Sequence, residues 1–331
     1  MVNITTPAPS AHAGFLGLGT YRPERVVPNS ELIERIDSTD EWIRERSGII
    51  ERRYARADET VSSMASIAAQ RALDDASIPA TEIDLVIVAT FTHRYATPSA
   101  AAEVSALIGA TGAAAVDVGA ACAGFAYAVA LADSAVRAGT AKKVLVIGAE
   151  KISEVINFDD RGTAFLFGDG AGAVIVGETP VQGIGPTVWG ADGSQMSAII
   201  MEPDTFAAAN QQVQSLLTMQ GQTVFRWAIG SMGDVCQRAL ESAGVSANDI
   251  AAFVPHQANM RITNSLIQRL GFPETVVVAR DIENAGNTSA ASIPLALDRL
   301  RQDGQVTSGD LILLVGFGAG LAFAAHVARV P

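Results

Sequence analysis

Residues 71–83 read RALDDASIPATEI, and residues 238–250 read RALESAGVSANDI. Each stretch has the pattern of a helix end, a turn and the approach to a strand. A second repeat follows at a similar offset, because a turn of small residues that opens a helix and then a strand occurs around Cys122 and again around Asn287. The two repeats occur in the same order, which indicates that the chain arose by duplication.

The duplication predicts two similar halves, residues 13–180 and 181–331, preceded by a flexible tail over residues 1–12. In that arrangement Cys122 and Asn287 occupy equivalent helix starts and face a shared centre.

Short apolar runs alternate with helical patterns along the chain. The predicted strands are Leu85–Ala89, Val144–Ile147, Ala173–Val176, Val276–Ala279 and Leu311–Val315, and the predicted helices include Thr60–Ala76, Phe125–Ala138, Phe225–Ala243 and Ser292–Leu300. Most of the runs do not alternate apolar with polar residues, which indicates strands buried on both faces. The sequence therefore predicts an α/β fold with mostly parallel strands between layers of helices.

The composition excludes several classes of protein. With 49% hydrophobic and 18% charged residues the chain is not disordered, and a net charge of −12 is a poor match for nucleic acid. The longest uncharged run, residues 311–328, contains the string GFGAG, so we expect two strands joined by a glycine turn and not a membrane span. The first residues lack the basic and apolar parts of a signal peptide. Two cysteines and four histidines form neither a disulfide framework nor a metal-ligand spacing, and we expect a cytoplasmic protein without a metal.

Cys122 lies in the segment DVGAACAGF (117–125), where small residues precede a predicted helix. The start of a helix supplies partial positive charge and N–H donors, both of which favour a thiolate. Cys122 is therefore a candidate nucleophile, with a buried structural cysteine as the alternative. Cys236 lies inside a helical pattern, where the structural interpretation is preferred.

His256 and Asn287 are the other candidates for chemistry. His256 follows a predicted strand in FVPHQAN (253–259), and loops at the carboxyl ends of strands are favoured catalytic positions in α/β sheets. His93, which also follows a strand, is its one rival. Asn287 lies in NAGNTSAAS (284–292), a segment that an ordinary helix cap would also explain. The glycine strings of the chain do not match the dinucleotide-binding pattern, so we expect no nicotinamide cofactor.

Taken together and in this order, these segments resemble the β-ketoacyl-acyl-carrier-protein synthase III family of thiolase-like condensing enzymes. The matching strings span nearly the whole chain: DEWI (40–43), ACAGF (121–125), DRGT (160–163), FGDGAG (167–172), VPHQANMR (254–261), GNTSAAS (286–292) and GFGAG (316–320). The resemblance implies a duplicated, five-layered αβαβα fold, a homodimer, and a reaction without a cofactor. That reaction is the initiating condensation of bacterial fatty-acid synthesis, in which acyl-CoA and malonyl-acyl-carrier-protein give 3-oxoacyl-acyl-carrier-protein, CO₂ and CoA.

The resemblance also implies the catalytic roles. Cys122 would be the nucleophile, and its backbone N–H together with that of Ala319 would hold the acyl oxyanion. His256 and Asn287 would donate to the malonyl thioester oxygen during decarboxylation. Asparagine in place of a second histidine separates the chain from elongating ketosynthases, and a biosynthetic thiolase would need a cysteine after Cys236, which this chain lacks.

The substrate contacts follow from the same resemblance. Trp42 would stack on the adenine of CoA, with Arg46 and Arg161 near its phosphates. Thr97 would close the acyl channel across the dimer interface, where its small side chain leaves room for longer or branched primers. The residues implied in carrier-protein docking are Gln257, Ala258, Asn259, Met260, Arg261, Arg226 and Arg269. Gln268 stands where the family often has a lysine.

Three alternatives remain open from the sequence. A condensing enzyme of the same fold that primes a polyketide or another secondary pathway would share the catalytic residues. A Cys-His-Asn hydrolase would release a free acid, with His256 as general base and Asn287 orienting it. A carrier-protein-binding scaffold without activity would have no need for Cys122, His256 and Asn287.

Overall fold

The computed structural model describes residues 8–10 and 12–331. Residues 1–7 and 11 of the predicted tail lie outside this part of the chain. Ser10 and His12 of that tail contact the body of the protein. The backbone N–H of Ser10 donates to the carbonyl of Arg137 at 3.1 Å, and Nδ1 of His12 lies 3.2 Å from Oε1 of Gln182.

Strands and helices alternate along most of the described chain. The strands are β1 Ala13–Tyr21, β2 Arg25–Pro28, β3 Glu51–Tyr54, β4 Leu85–Ala89, β5 Ala114–Val118, β6 Lys143–Glu150, β7 Gly170–Glu178, β8 Val188–Ala191, β9 Ile199–Glu202, β10 Leu216–Met219, β11 Ala252–Pro255, β12 Val277–Val278, β13 Leu311–Gly318 and β14 Ala322–Arg329. The helices are α1 Ser30–Ile36, α2 Asp40–Ser47, α3 Val61–Ala76, α4 Ala100–Ile108, α5 Gly124–Arg137, α6 Thr205–Gln211, α7 Gly221–Ala243, α8 Met260–Leu270, α9 Ile282–Ala285 and α10 Ser292–Gln302.

Two sheets of five strands repeat one topology within the described residues. The first has the order β1-β7-β6-β4-β5, and the second has the order β8-β14-β13-β11-β12. In each sheet the first two strand pairs are antiparallel and the last two are parallel. The α/β class is confirmed, but the expectation of mostly parallel strands is wrong. One reason is the short glycine turn between β13 and β14, because a tight turn can join only antiparallel neighbours.

The helices and sheets stack as five layers. Helix α3 packs on the outer face of the first sheet, and α5 and α10 lie between the two sheets. Helices α7 and α8 cover the outer face of the second sheet. The buried apolar side chains of α5 and α10 fill the central layer, so these two helices fix the separation of the sheets. Among the described residues, no helix is long and apolar enough to cross a membrane.

The two central helices begin in the same unusual way. A short 3₁₀ turn precedes each helix, Ala121–Ala123 before α5 and Ser289–Ala291 before α10. Each turn opens on a residue other than glycine with positive φ, 42° at Ala121 and 48° at Ser289. Such values are uncommon for residues with a Cβ, so the match marks these positions as structural equivalents.

This equivalence corrects the expectation for Cys122 and Asn287. The counterpart of Cys122, the second residue of its turn, is Ala290. Asn287 lies three residues earlier, so the catalytic candidates come from neighbouring positions that are not equivalent. The division into residues 13–180 and 181–331 falls between β7 and β8 and stays a prediction.

Candidate active site

One cavity of about 770 Å³ contains all three catalytic candidates. Cys122 lies in the turn before α5, His256 follows the carboxyl end of β11, and Asn287 precedes the turn before α10. Cys122 belongs to the first sheet-and-helix repeat, and His256 and Asn287 belong to the second. The cavity therefore lies where the two repeats meet.

The glycine at position 318 allows the backbone of the second repeat to approach Cys122. A Cβ atom placed on Gly318 would lie 2.7 Å from Cβ and 3.1 Å from Sγ of Cys122, which is too close for a side chain. Ala319, the next residue, lines the same cavity. Cys122 and Ala319 thus border one cavity, where their backbone N–H groups are candidates for an oxyanion hole.

Two opposing effects act on the Cys122 thiol. Burial raises the pKa of Cys122 to about 12, and a hydrogen bond from Ser289 lowers it in part. Burial therefore opposes the helix start that favours a thiolate, and with a pKa of about 12 the resting residue is a neutral thiol. The sequence could not show this, because burial depends on the whole fold.

His256 is held as a neutral imidazole. Burial lowers the pKa of His256 to about 3. Nδ1 of His256 lies 2.7 Å from the hydroxyl of Ser292, which also accepts the N–H of Gln257 at 3.3 Å. When the Ser292 hydroxyl donates its hydrogen to Nδ1, the proton of the neutral ring lies on Nε2. The ring can then donate a hydrogen bond to a ligand.

Asn287 is oriented by its own turn. Its Oδ1 accepts the backbone N–H of Ser289 at 2.9 Å, which leaves the N–H groups of the amide for a ligand. The backbone of Asn287 is fixed as well, since its N–H donates to Leu166 at 2.8 Å and its carbonyl accepts from Gly168 at 3.0 Å. Asn287 therefore presents a second neutral donor in the cavity that contains Cys122.

The implied CoA residues lie together near the cavity mouth. Trp42 and Arg46 stand one turn apart on α2, and both line the cavity. The guanidinium of Arg161 lies 5.0 Å from the centre of the Trp42 ring, and that of Arg46 lies 5.7 Å from it. An aromatic face flanked by two cations suits an adenine nucleotide.

The residues implied in carrier-protein docking fall into two groups. Arg226 and Arg261 line the cavity, and the guanidinium of Arg261 lies 4.8 Å above the ring of Phe225. Arg269 instead donates to the carbonyls of Ile229 and Gly230 and pairs with Asp234 at 2.6 Å.

The other docking candidates belong to the segment that positions α8. Gln257 is buried, donates to the carbonyl of Pro255 and accepts from the N–H of Ile282. Met260 is buried in an apolar cluster. Asn259 caps α8 and donates to the carbonyl of Arg46, and Ala258 lines the cavity. The side chains of Gln257 and Met260 therefore support the segment and do not present a surface to a partner.

Thr97 is exposed and is absent from the residues that line the cavity of this single chain. The rival histidine, His93, lines a separate cavity of about 100 Å³.

Three polar residues of the site region escaped the sequence analysis: Ser289, Ser292 and Glu150. The two serines lie inside the segment at residues 284–292, whose pattern an ordinary helix cap also explains. Glu150 ends β6, as Pro255 ends β11 just before His256, so its place at a strand end is the signal that could have found it.

Two sequence profiles match the chain. The profile of 3-oxoacyl-[acyl-carrier-protein] synthase III matches residues 116–193, and the profile of the C terminal part of that protein matches residues 240–330. Together they contain Cys122, His256 and Asn287.

Named relatives are similar over nearly their full length. A beta-ketoacyl-[acyl-carrier-protein] synthase III of Mycobacteroides abscessus is 52% identical, over 96% of this chain and 95% of that protein. The mycobacterial synthase III of Mycobacterium tuberculosis is 50% identical, over 100% of this chain and 99% of that protein.

Solved structures agree with these relatives. The priming beta-ketosynthase of the R1128 polyketide pathway superposes with a TM-score of 0.97 at 44% identity, over 100% of this chain and 99% of that one. The synthase III of Aquifex aeolicus gives a TM-score of 0.89 at 42% identity, over 96% of this chain and 100% of that one. The five-layered, thiolase-like fold implied by the sequence is thereby confirmed.

Proposed function

Because the chain belongs to the 3-oxoacyl-[acyl-carrier-protein] synthase III family, we propose that its central cavity carries out the initiating condensation of fatty-acid synthesis. The enzyme transfers an acyl group from acyl-CoA to itself and then joins it to the two-carbon unit of malonyl-acyl-carrier-protein. CoA is released in the first half-reaction and CO₂ in the second. The CoA thioester is a substrate, and the chemistry needs no cofactor.

The observation that carries the residue assignments is a cysteine in one cavity with two neutral donors, His256 and Asn287. In the first half-reaction Sγ of Cys122 loses its proton and attacks the acyl carbonyl. The backbone N–H groups of Cys122 and Ala319 stabilise the oxyanion, and the thiolate of CoA leaves and takes up a proton. The acyl group is then a thioester of Cys122.

In the second half-reaction the malonyl group loses CO₂, and negative charge develops on its thioester oxygen. Nε2–H of His256 and the amide N–H of Asn287 stabilise that charge without a strong base. The carbanion attacks the acyl carbonyl, and Cys122 leaves and recovers its proton. Removal of one such donor typically costs about 3–4 kcal/mol of transition-state stabilisation.

We place the adenine nucleotide of CoA between Trp42 and Arg161, with Arg46 beside it. The carrier protein is acidic, and this chain also has a net charge of −12, so docking needs a local basic patch. Arg226 and Arg261, which line the cavity, form that patch. Arg269, which is paired with Asp234, contributes less to docking in this proposal.

We further propose a cytoplasmic homodimer. Strand β5 is the edge of the first sheet, and Val116 on it, Leu107 before it and Tyr95 nearby in the chain are exposed apolar side chains. An apolar edge strand invites pairing with another strand, and pairing through β5 brings Thr97 of one subunit to its partner. Both described cysteines, Cys122 and Cys236, are free thiols, as suits a reducing compartment.

The contacts of the site argue against the hydrolase alternative. A Cys-His-Asn hydrolase uses its asparagine to orient the histidine, but Nδ1 of His256 contacts Ser292. Asn287 instead accepts from the backbone of Ser289.

The priming of a polyketide is a second candidate function. The similarity to the R1128 priming ketosynthase favours it, because that protein shares the fold and 44% of its residues with this chain. The chemistry would be the same, and only the acyl primer and the carrier protein would differ.

The test is product analysis with purified protein, malonyl-carrier protein and a panel of acyl-CoA thioesters. The proposed function predicts CO₂, CoA and 3-oxoacyl-carrier protein in equal amounts. Release of free acid without use of the malonyl donor would overturn it. A parallel assay with the carrier proteins of fatty-acid and polyketide synthesis from one organism separates the two candidates, since the better carrier gives the higher kcat/KM.

A further inference from the structure

Glu150 is a fully buried carboxyl that the proposed mechanism does not use. It ends β6, and its two oxygens have unequal surroundings. Oε2 accepts from the hydroxyls of Thr90 and Thr92 and from the backbone N–H groups of Phe91 and Thr92. Oε1 has a long contact of 3.4 Å with the N–H of Phe91 and one side-chain partner, the hydroxyl of Ser289 at 3.3 Å.

Ser289 connects this carboxyl to the nucleophile. Its turn packs against the turn that carries Cys122, both residues line the central cavity, and the Ser289 hydroxyl lowers the pKa of Cys122. A hydroxyl has a single hydrogen, so Ser289 can donate either to Glu150 or to Cys122, but not to both at once.

The protonation of Glu150 decides between these two states. A neutral carboxyl carries its proton on Oε1, because Oε2 is already surrounded by donors. It then donates to Ser289, whose own hydrogen is free to point at Sγ. An ionised Glu150 draws that hydrogen to itself and adds a negative charge that disfavours the thiolate of Cys122.

We propose that Glu150 is a positioning residue for the nucleophile: its neutral carboxyl donates to Ser289, and Ser289 then donates to Sγ of Cys122. The relay supports the thiolate that attacks acyl-CoA, and in this respect it rests on the proposed function. No proton moves between the residues in this arrangement.

Burial raises the pKa of Glu150 to about 8, so the neutral form predominates at pH 7. The titratable groups on the elements packed against the carboxyl are engaged elsewhere. Lys151 donates to the carbonyls of Arg56 and Glu59 and pairs with Glu154, and Asp169 accepts from Ser153 and Ala55. The carboxylate of Glu59 accepts from Tyr21 and from the backbone of Arg56, and the ring of His93 packs against Tyr95. Cys122 is then the acidic group most directly coupled to Glu150.

The test is the rate of alkylation of Cys122 by iodoacetamide between pH 6 and pH 10, followed by intact mass. This reaction reports the thiolate without any acyl-CoA, so its outcome is independent of the proposed function. The Cys122→Ser variant gives the background from buried Cys236. Acylation by acyl-CoA is measured separately on the same variants.

Glu150→Gln is the decisive variant. The donors around Oε2 fix the amide oxygen at that position, so the amide nitrogen replaces Oε1 and donates to Ser289 at every pH. We expect alkylation within about twofold of the wild type at pH 7. Above pH 8 the wild type levels off while the variant continues to rise, which makes the variant about tenfold faster at pH 9, because a group with a pKa of about 8 is then roughly nine-tenths ionised. Asp133→Asn, at a partly buried carboxyl near the far end of α5 that pairs with Arg137, should follow the wild-type profile.

Ser289→Ala tests the relay itself. Loss of a hydrogen bond to a charged sulfur should slow alkylation at pH 7 by about tenfold or more. Adding Glu150→Gln to this variant should then change the rate at pH 9 by less than about threefold. Ser289→Gly, which tolerates the positive φ, replaces the alanine variant if that fails to fold.

Three results would overturn the proposal. The first is superimposable pH profiles for the wild type and Glu150→Gln. The second is a tenfold loss at pH 7 in Glu150→Gln, which would show that the carboxylate itself is needed. The third is the full effect of Glu150→Gln at pH 9 in the absence of Ser289, which would show that its charge acts directly on Cys122. Failure of acylation with a normal alkylation profile would count against the proposed function and not against the relay.

Discussion

Nδ1 of His256 lies 2.7 Å from the hydroxyl oxygen of Ser292, and both residues are buried. When Ser292 donates in this contact, the ring proton of His256 lies on Nε2 and is available to a ligand. A histidine held in this way acts as a hydrogen-bond donor, because burial lowers its pKa to about 3 and it stays neutral at physiological pH.

Ser292→Ala should therefore slow condensation by about fivefold and leave acylation of Cys122 unchanged. The expected size is that of one buried hydrogen bond, about 1 kcal/mol. Single-turnover assays of the two half-reactions measure the effect. Ser66→Ala on α3 is the control, since that hydroxyl donates to the carbonyl of Ser63 in its own helix. An equal loss in both half-reactions would mean that Ser292 only supports the fold.

Arg261→Glu should raise the KM for malonyl-carrier protein by about tenfold, with a much smaller effect on acylation from acyl-CoA. A charge reversal near the cavity mouth repels an acidic partner, and the defect should shrink as salt is added. The control is Arg299→Glu, which reverses an exposed charge on α10 that pairs with Asp303. It should leave the KM for malonyl-carrier protein and the rate of acylation from acyl-CoA near the wild-type values. Equal defects with both substrates would show that Arg261 is structural, acting through its contact with Phe225.

Thr97→Phe should shift primer preference toward acetyl-CoA. If the proposed dimer places Thr97 at the acyl channel of its partner, a phenyl ring fills space that longer chains need, while a two-carbon group still fits. Competition assays with acetyl-, isobutyryl- and dodecanoyl-CoA measure the shift. A wild type that already prefers acetyl-CoA strongly, with no change in the variant, would remove Thr97 from the channel.

Gly148→Ala tests the contact between the two repeats. A Cβ atom on Gly148 would lie 2.2 Å from the carbonyl oxygen of Ala290, the structural counterpart of Cys122. Overpacking at such a contact typically lowers the free energy of unfolding by about 1–3 kcal/mol. In Gly230→Ala, at an exposed position of α7, the added methyl meets no atom within 4 Å, so this variant should be as stable as the wild type or more stable by up to about 1 kcal/mol. Denaturant unfolding measures both, and equal stability of the two variants would contradict the close packing of the turns.

The sequence was sufficient for the fold class and for the three residues that the cavity brings together. Each of Cys122, His256 and Asn287 had a structural alternative on its local pattern alone, and it was the resemblance of their segments, taken together and in order, to one family that selected them. The strand and helix cores were also visible, because apolar runs such as Leu85–Ala89 are buried in the sheet as expected.

Contacts between distant segments were not visible. Glu150 and Ser289 are 139 residues apart in the chain and meet only in the folded protein. Residues 44–56 contain five arginines and so have the composition of a phosphate site. One of these arginines, Arg52, is instead fully buried and donates to Val27, Asn29 and Phe165. Composition gives the charges of a segment, whereas burial and pairing depend on what packs against it.

The central claim is that Cys122 carries the acyl group and that His256 and Asn287 act only afterwards. The most direct measurement is the intact mass of the protein after incubation with acyl-CoA and then with malonyl-carrier protein. We predict one acyl adduct on Cys122 of the wild type, which disappears as an equal amount of 3-oxoacyl-carrier protein forms. His256→Ala and Asn287→Ala should take up the adduct and retain it, with condensation slowed by about 10²- to 10³-fold. Formation of product without an adduct on Cys122, or a stable adduct elsewhere in Cys122→Ser, would contradict the account.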